Sequence, residues 1–250
     1  NRPVMLIDGL NLFMRHYAAH PAMSKNGESC GGIVGTINAI ERLIQKVGPL
    51  EVYIIWEGNG SVKKRGLYRD YKQNKKPQRL NRYYSDLPNT VSNRTDQVRI
   101  IVEALKSTPV KQIYVEGCEA DDVIGYMTRY KFGNIRKVIV SSDHDYYQLL
   151  DNKTLIWSPT LKDWVSKKTV AKRYKVSASN FCLAKSIAGD KSENIPGVKG
   201  ISYKTLAKLI PETTSSQEMA LDDLFDKVRE LNEVKSTITI KRLMHSEQLV

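Results

Sequence analysis

Arg2-Pro3-Val4-Met5-Leu6-Ile7-Asp8-Gly9 carries an apolar run that stops on an acid and a glycine. The run is strand-sized and shows no polar alternation, so it reads as a short strand buried on both faces. The same signature returns at Glu51 to Trp56, at Gln112 to Val115 and at Arg136 to Val140. Between these runs the apolar spacing changes to the helical period. Gly31 to Val47 carries Ile33, Ile37, Ile40, Leu43, Ile44 and Val47 on one face, and Thr95 to Lys106 carries Val98, Ile101, Val102 and Leu105. Ala120 to Tyr130 predicts a helix with acids in its first turn, where the helix dipole favours them. Asp143 to Leu150 predicts the start of another. Strand and helix alternate, so the expected fold is α/β, a mostly parallel central sheet flanked by helices.

Further along, Leu155-Ile156-Trp157 and Trp164-Val165 read as a hairpin or short edge strands. Phe181 onward is mostly helical, with Pro196-Gly197-Val198-Lys199-Gly200 as a turn between two helical stretches. The expected organisation is an α/β core over residues 1–168 and a helical subdomain over 169–250. No internal repeat or low-complexity segment interrupts the chain.

With 250 residues and 41% hydrophobic content the chain can bury a sizeable core. Its apolar stretches are too short to span a bilayer, and no secretory leader opens it. Cys30, Cys118 and Cys182 are few and scattered, which points to a reducing compartment. They do not cluster with His16, His20, His144 or His245, which argues against a zinc site. The chain begins at Asn1 rather than Met, so sequence before it is an expectation.

The net charge is +12 and unevenly placed. Between Ser61 and Tyr84, Lys63, Lys64, Arg65, Arg69, Lys72, Lys75, Lys76, Arg79 and Arg82 stand against Asp70 alone, eight of the twelve net charges. A merely soluble basic protein would spread them. Concentration in one segment points to a polyanionic partner, nucleic acid above all.

The acids follow a different rule. In an open α/β sheet, sites form at the carboxyl ends of the strands. The first predicted strand ends at Asp8 and the second at Glu57. The third leads to Glu119-Ala120-Asp121-Asp122, the fourth to Ser141-Ser142-Asp143-His144-Asp145, and Asp190 and Glu193 precede the Pro-Gly turn. Each acid has an ordinary reading by itself: Asp8-Gly9 as a turn, Glu119 to Asp122 as helix-start chemistry. Together they would crowd one sheet edge and repel, a cost that divalent cations remove. Mg²⁺ takes oxygen ligands and keeps waters, so a few carboxylates per ion suffice.

In this order the motifs resemble the flap endonuclease and 5′-3′ exonuclease family, particularly bacteriophage 5′-nucleases and the 5′-nuclease domain of bacterial DNA polymerase I. The matching stretches are Leu6 to Gly9, Tyr71-Lys72-Gln73-Asn74-Lys75, Glu119 to Asp122, Ser141 to Asp145, and Gly189-Asp190-Lys191-Ser192-Glu193-Asn194-Ile195-Pro196-Gly197-Val198-Lys199-Gly200-Ile201. The resemblance implies a PIN-like 5′-nuclease core with a helical arch over about 62–93 and a helix-hairpin-helix-type motif over about 181–210. It implies two Mg²⁺ ions, with Mn²⁺ able to substitute. Asp8, Glu57, Glu119 and Asp121 would serve one ion, and Asp143, Asp145 and Asp190 the other. Asp122 and Glu193 would act through bound water. Glu57 and Glu193 depart from the family's usual Asp.

The implied activity is structure-specific hydrolysis of DNA phosphodiesters by a two-metal route, in replication or primer removal. The substrates would be 5′-flaps, 5′-overhangs or nicked duplex ends, met by a monomer in the cytoplasm, the bacterial host's if the source is a phage. Asp8, Asp121, Asp143, Asp145 and Lys72 form the expected catalytic set, Lys72 as the cation on the scissile phosphate. Lys63, Lys64, Arg65, Arg69, Tyr71, Lys72, Lys75 and Lys76 in the arch, with Gly197, Lys199, Gly200 and Lys204, would bind DNA. Tyr68, Tyr71, Tyr83 and Tyr84 would offer stacking faces or pack the arch. The resemblance also implies K⁺ in the Gly197 to Gly200 loop. Gly31, Gly32 and Gly35, opening the helix after the first strand, offer either a close approach for duplex DNA or simply a helix start. The rivals are an RNase H-type 5′-exonuclease on RNA–DNA hybrids, a PIN-like RNA endonuclease and a non-catalytic DNA-binding scaffold. Relatives of the family continue beyond the position of Val250.

Overall fold

The computed structural model describes residues 2–72 and 91–247. The chain separates into two compact units, one of 1–63, 76–146 and 153–164, the other of 64–75, 147–152 and 165–250.

The first unit is built on a six-stranded sheet. In chain order its strands are β1 (Val4–Asp8), β2 (Glu51–Trp56), β3 (Lys111–Tyr114), β4 (Lys137–Val140), β5 (Thr154–Ser158) and β6 (Asp163–Val165). Their order across the sheet is β3-β2-β1-β4-β5-β6. β1 runs parallel to β2 and β4, β2 to β3, and β4 to β5. Only a short connection separates β5 from β6, which fits the expected edge hairpin. All five β1 residues are buried, as the uninterrupted apolar run requires.

Helices α1 (Gly9–Ala19), α2 (Gly31–Val47) and α4 (Val91–Leu105) cover one face, while α3 (Ser61–Leu67) follows β2. Met5 and Ile7 of β1, Phe13 and Tyr17 of α1, Ile40 of α2 and Ile101 of α4 share that core. Helix α1 was not anticipated: it lies between the first strand and the glycine-led helix. It also gives those glycines a packing role. A Cβ at Gly32 would lie 2.4 Å from the Phe13 ring, and one at Gly35 would lie 2.6 Å from His16. All three glycines are buried, and they let α2 pack closely on α1.

Helix α5 (Ala120–Tyr126) continues into a π-helical turn over Met127–Lys131, so the helix expected to Tyr130 is present with a wider last turn. Buried Lys137 donates from Nζ to the carbonyls of Phe132 (3.0 Å) and Gly133 (3.3 Å), answering backbone groups left open where that turn ends. The segment from Asp143 departs from expectation. Instead of an α-helix, His144–Leu149 forms a 3₁₀ turn. Its entry is held by side chains: the Asp143 N–H donates to Ser141 Oγ and the Asp145 N–H to Asp143 Oδ1. Such local bonds compete with the helical pattern.

The second unit contains α6 (Lys167–Tyr174), α7 (Phe181–Ala188), α8 (Tyr203–Leu209), α9 (Leu221–Val234) and α10 (Ile238–His245). Tyr147, Tyr174, Phe181 and Tyr203 pack ring against ring in its core. Buried Asn180 donates to the carbonyls of Ser215 (3.2 Å) and Gln217 (2.9 Å) and accepts from the Met219 N–H, fixing that connection. No helix among the described residues is long and apolar enough to cross a membrane.

Candidate active site

Four adjacent parallel strands, β3-β2-β1-β4, place their carboxyl ends on one edge. The acids expected at strand ends therefore gather there.

Asp8 ends β1 and caps α1, its Oδ1 accepting from the Asn11 N–H at 3.0 Å. Its Oδ2 accepts from Ser141 Oγ at 3.2 Å and Tyr146 Oη at 3.0 Å. Burial pushes the Asp8 carboxyl up to about 6, the nearby Asp143 charge adding to it, although these hydrogen bonds pull the other way. The Tyr146 phenol is driven well above its usual range, first by burial and then by the charges of Asp8, Asp121 and Asp143. It therefore stays a proton donor throughout the physiological range. Asp8, Asp121 and Asp143, far apart in sequence, thus act on one hydroxyl.

Glu57, following β2, accepts from the Ala120 N–H at 3.3 Å. Glu119 is the N-cap of α5 and only 2% exposed. Asp122 completes a capping box by accepting from the Glu119 N–H at 3.3 Å, so the helix-start reading of this acid holds alongside the functional one. Even so, carboxylate oxygens of Glu119, Asp121 and Asp122 come within 4.8 Å of one another. Asp145, in the 3₁₀ turn, is half-buried.

This donor set fits a hard divalent cation. The candidate donors are carboxylate oxygens, and Asp8 bears a burial cost that a cation would offset. It contains neither Cys nor His.

Asp190, Glu193 and Lys72 belong to the second unit. Asp190 Oδ2 lies 2.6 Å from Lys185 Nζ, and Glu193 Oε2 lies 3.5 Å from Lys72 Nζ. Burial raises the Asp190 carboxyl, but Lys185 and Ser192 outweigh it and hold the group below its usual value. The loop closes through paired backbone bonds between Asp190 and Ile195. Gly189 and Gly197 approach so closely that a Cβ at Gly197 would sit 2.1 Å from the Ala188 carbonyl oxygen. Lys199, Gly200 and Lys204 are exposed around it.

Of the expected arch residues, Lys63, Arg65 and Arg69 are exposed and Lys64 is half-buried. Tyr71 is only 8% exposed, so it packs rather than presenting a free stacking face. Tyr68 is 39% exposed. Lys75, Lys76, Arg79, Arg82, Tyr83 and Tyr84 lie outside the described residues. Sequence reasoning missed Tyr146, Ser141, Asn11 and Lys185. Tyr146 and Ser141 flank the acids of the fourth motif, but a neutral hydroxyl gives no charge signal.

The sheet order and its acid-lined edge define a PIN-like 5′-nuclease fold. The family model described as "5′-3′ exonuclease, N-terminal resolvase-like domain" matches residues 3–175, and the chain belongs to that family. DNA polymerase I of Caldicellulosiruptor bescii is 30% identical over 237 residues, covering 91% of this chain and 26% of that protein. The 5′-3′ exonuclease of Buchnera aphidicola is 28% identical, covering 84% and 70%. Flap endonuclease Xni of a Shewanella species is 30% identical, covering 82% and 74%. The chain thus spans about a quarter of the polymerase and most of the shorter nucleases. A bacteriophage T5 flap endonuclease, solved as a pseudo-enzyme-product complex with DNA and metal ions, superposes with TM-score 0.77 at 22% identity, covering 99% of this chain and 86% of that one.

Proposed function

We propose that the protein is a structure-specific 5′-nuclease, a flap endonuclease and 5′-3′ exonuclease, that hydrolyses DNA phosphodiesters with Mg²⁺ at the acid edge of its sheet. The observation that carries this reading is Asp8, a carboxyl buried among acids and held by neutral donors. The cap on α1 needs only Asp8; the acids around it add repulsion that a bound cation would offset.

Asp8, Glu57, Glu119 and Asp121 would hold one ion, with Asp122 acting through bound water. Asp143 and Asp145 would hold a second; Asp190, also expected as a ligand, and Glu193, expected to act through water, belong to the second unit. When bound, Mg²⁺ supplies Lewis-acid polarisation of the phosphoryl oxygen and lowers the pKa of water. Mn²⁺, of the same ligand preference, would substitute. Tyr146 keeps its proton and orients Asp8. Lys72 steers and neutralises the scissile phosphate, leaving 5′-phosphate and 3′-hydroxyl products.

Lys63, Lys64, Arg65 and Arg69 contribute phosphate contacts on one side of the substrate, and Gly197, Lys199, Gly200 and Lys204 contact the duplex, with K⁺ as a ligand of that loop. None of these groups suits base reading, so recognition is of shape and ends, and affinity falls steeply with salt. The T5 enzyme's complex with DNA and metal ions supports both the substrate class and the cofactor class. A monomer acting in the bacterial cytoplasm during replication or primer removal fits this chemistry.

The test is a labelled 5′-flap duplex incubated with Mg²⁺ or chelator, beside an Asp145→Asn control. An RNA–DNA hybrid and single-stranded RNA run in parallel separate the RNase H-type and RNA-endonuclease readings. Cutting of the flap that needs Mg²⁺ and is lost in the control supports the proposal. DNA binding without Mg²⁺-dependent cutting would assign the chain as a scaffold.

A further inference from the structure

The segment that carries Lys72 is fastened to the loop that follows α7. The Lys72 N–H donates to the Glu193 carbonyl at 3.0 Å, and Asn194 Nδ2 donates to the Asp70 carbonyl at 2.9 Å. Tyr68 Oη adds a longer contact, 3.4 Å, to the Asn194 carbonyl. Lys72 Nζ lies 3.5 Å from Glu193 Oε2 and 4.8 Å from the centre of the Tyr71 ring. The loop itself closes on paired backbone bonds between Asp190 and Ile195, 2.9 and 2.8 Å long. Every one of these residues belongs to the second unit.

Two backbone conformations mark the contact. Lys72 sits at φ 58 and Asn194 at φ 60. Residues other than glycine are strained in this left-handed region and stay in it only where their surroundings hold them. Asn tolerates it better than most, so residue 194 suits the turn. Its amide also reaches Asp70, which a glycine could not do. Lys72 has no such tolerance. Its conformation is held by the bond from its own N–H to Glu193 and by the amide bond two residues before it. The Lys72 side chain is thereby directed: only 17% exposed, it meets both the buried Tyr71 ring and Glu193.

We propose that Asn194 is a positioning residue for Lys72: its side-chain amide holds the Tyr68 to Lys72 segment on the Asp190 to Ile195 loop and so fixes where the lysine projects. This rests on the reading of Lys72 as the cation on the scissile phosphate given above. Asn194 is neutral and acts through Lys72 rather than on the substrate. Lysine is a long side chain with much rotamer freedom, and a loose backbone beneath it multiplies that freedom. Fixing the backbone beforehand removes part of the entropy lost when the ammonium is placed on a phosphate during reaction. Without the amide the ammonium is still present but less often in place, so the loss falls on the chemical step and not on duplex binding.

The experiment compares the full chain with its Asn194→Gly variant. Glycine adopts φ 60 freely, so the turn is kept and only the amide is lost. Thermal melts report folding, and Asn194→Asp, of the same size but unable to donate when ionised, replaces the glycine variant if that one is not folded. Amide exchange by NMR, without DNA, is expected to show the Lys72 N–H losing protection about tenfold, with the Ala184 N–H of α7 as the unmoved reference. Single-turnover cutting of a 5′-flap duplex in Mg²⁺ should fall about tenfold, while flap affinity in Ca²⁺ stays within about twofold. An Asn194→Gly, Lys72→Ala double variant should cut no more slowly than Lys72→Ala alone. A double variant slower by the full factor overturns the proposal, because Asn194 would then act on something besides Lys72. Unchanged exchange at Lys72 overturns it too, since the amide would hold nothing. Lys72→Ala cutting at the wild-type rate brings down the reading of Lys72 itself, a failure that the exchange data separate from failure of the contact.

Discussion

The phenol of Tyr146 donates to Oδ2 of Asp8 at 3.0 Å, and both side chains are buried, at 1% and 8% exposure. The bond joins the end of β1 to the turn after β4 and sits among Asp8, Asp121 and Asp143, whose charges all raise the Tyr146 pKa. Tyr146→Phe keeps the ring and deletes the donor. A hydrogen bond to a charged group is worth about 1.5–3 kcal/mol, so the Asp8 carboxyl should titrate above its present value of about 6. Single-turnover cleavage should fall by about tenfold or more through loss of Asp8 positioning. Carboxyl NMR of metal-free protein across pH 4–9 checks the first part. An unmoved Asp8 resonance would show that Tyr146 does not hold it.

Metal-free stability should carry the mark of Asp8. Its folded pKa is raised from 3.8 to about 6, chiefly by burial. Below about pH 4 the carboxyl is protonated in both folded and unfolded chains, and burial carries no ionic cost. Between about 4 and 6 the unfolded chain releases the proton while the folded chain keeps it. Stability from this group is therefore lost as pH rises through that window, by ~3 kcal/mol in total. Asp8→Asn should remove the loss. Urea unfolding in chelator should give a wild-type-minus-variant difference that opens between pH 4 and 7, and Mg²⁺ at pH 7 should close it. A difference independent of pH would refute the raised pKa.

Gly197→Ala should damage the second unit disproportionately. The added methyl would meet the backbone of Ala188 at 2.1 Å, and no side chain can swing away to relieve it. Overpacking of this kind costs about 1–3 kcal/mol. The Asp190 to Ile195 bridge would open and duplex affinity would drop. Gly66→Ala, in α3 with open space around it, is the control and should be neutral or slightly stabilising. Equal melting temperatures for the two variants would contradict the close approach.

The parts of this architecture that could be read from sequence are those written in local pattern. β1, β2 and β4 carry the apolar runs Val4 to Ile7, Val52 to Trp56 and Val138 to Val140 because both their faces are covered, and an acid closes or soon follows each, at Asp8, Glu57 and Asp143. Helix α1 escaped because Asp8-Gly9 reads as a turn, whereas Asp8 in fact caps a helix whose Asn11, Arg15 and His16 blur the apolar stripe. The 3₁₀ turn after Asp143 escaped because bonds between side chains and backbone, not periodicity, decide it. The Lys72 to Glu193 contact joins segments remote in sequence, and a lysine among many lysines gives no hint of which acid it will meet. Tyr71 shows the converse, a motif residue whose ring the fold buries.

Glu57 tests whether the longer acid at this position is accommodated by design. Glu57 reaches from the end of β2 to the N-terminus of α5 and accepts from the Ala120 N–H at 3.3 Å. That contact ties the second strand to the Glu119 to Asp122 cluster. Glu57→Asp shortens the reach by one methylene, about 1.5 Å, and pulls the carboxylate off the amide. Loss of the bond should cost about 0.5–1.5 kcal/mol of stability. Divalent affinity should weaken by a few-fold because the carboxylate is no longer held at the start of α5, while Glu57→Gln should keep the hydrogen bond and lose the charge. Calorimetric Mn²⁺ titration of the three proteins distinguishes the two effects. If Glu57→Asp binds Mn²⁺ as tightly as wild type and melts at the same temperature, the extra methylene carries no structural role.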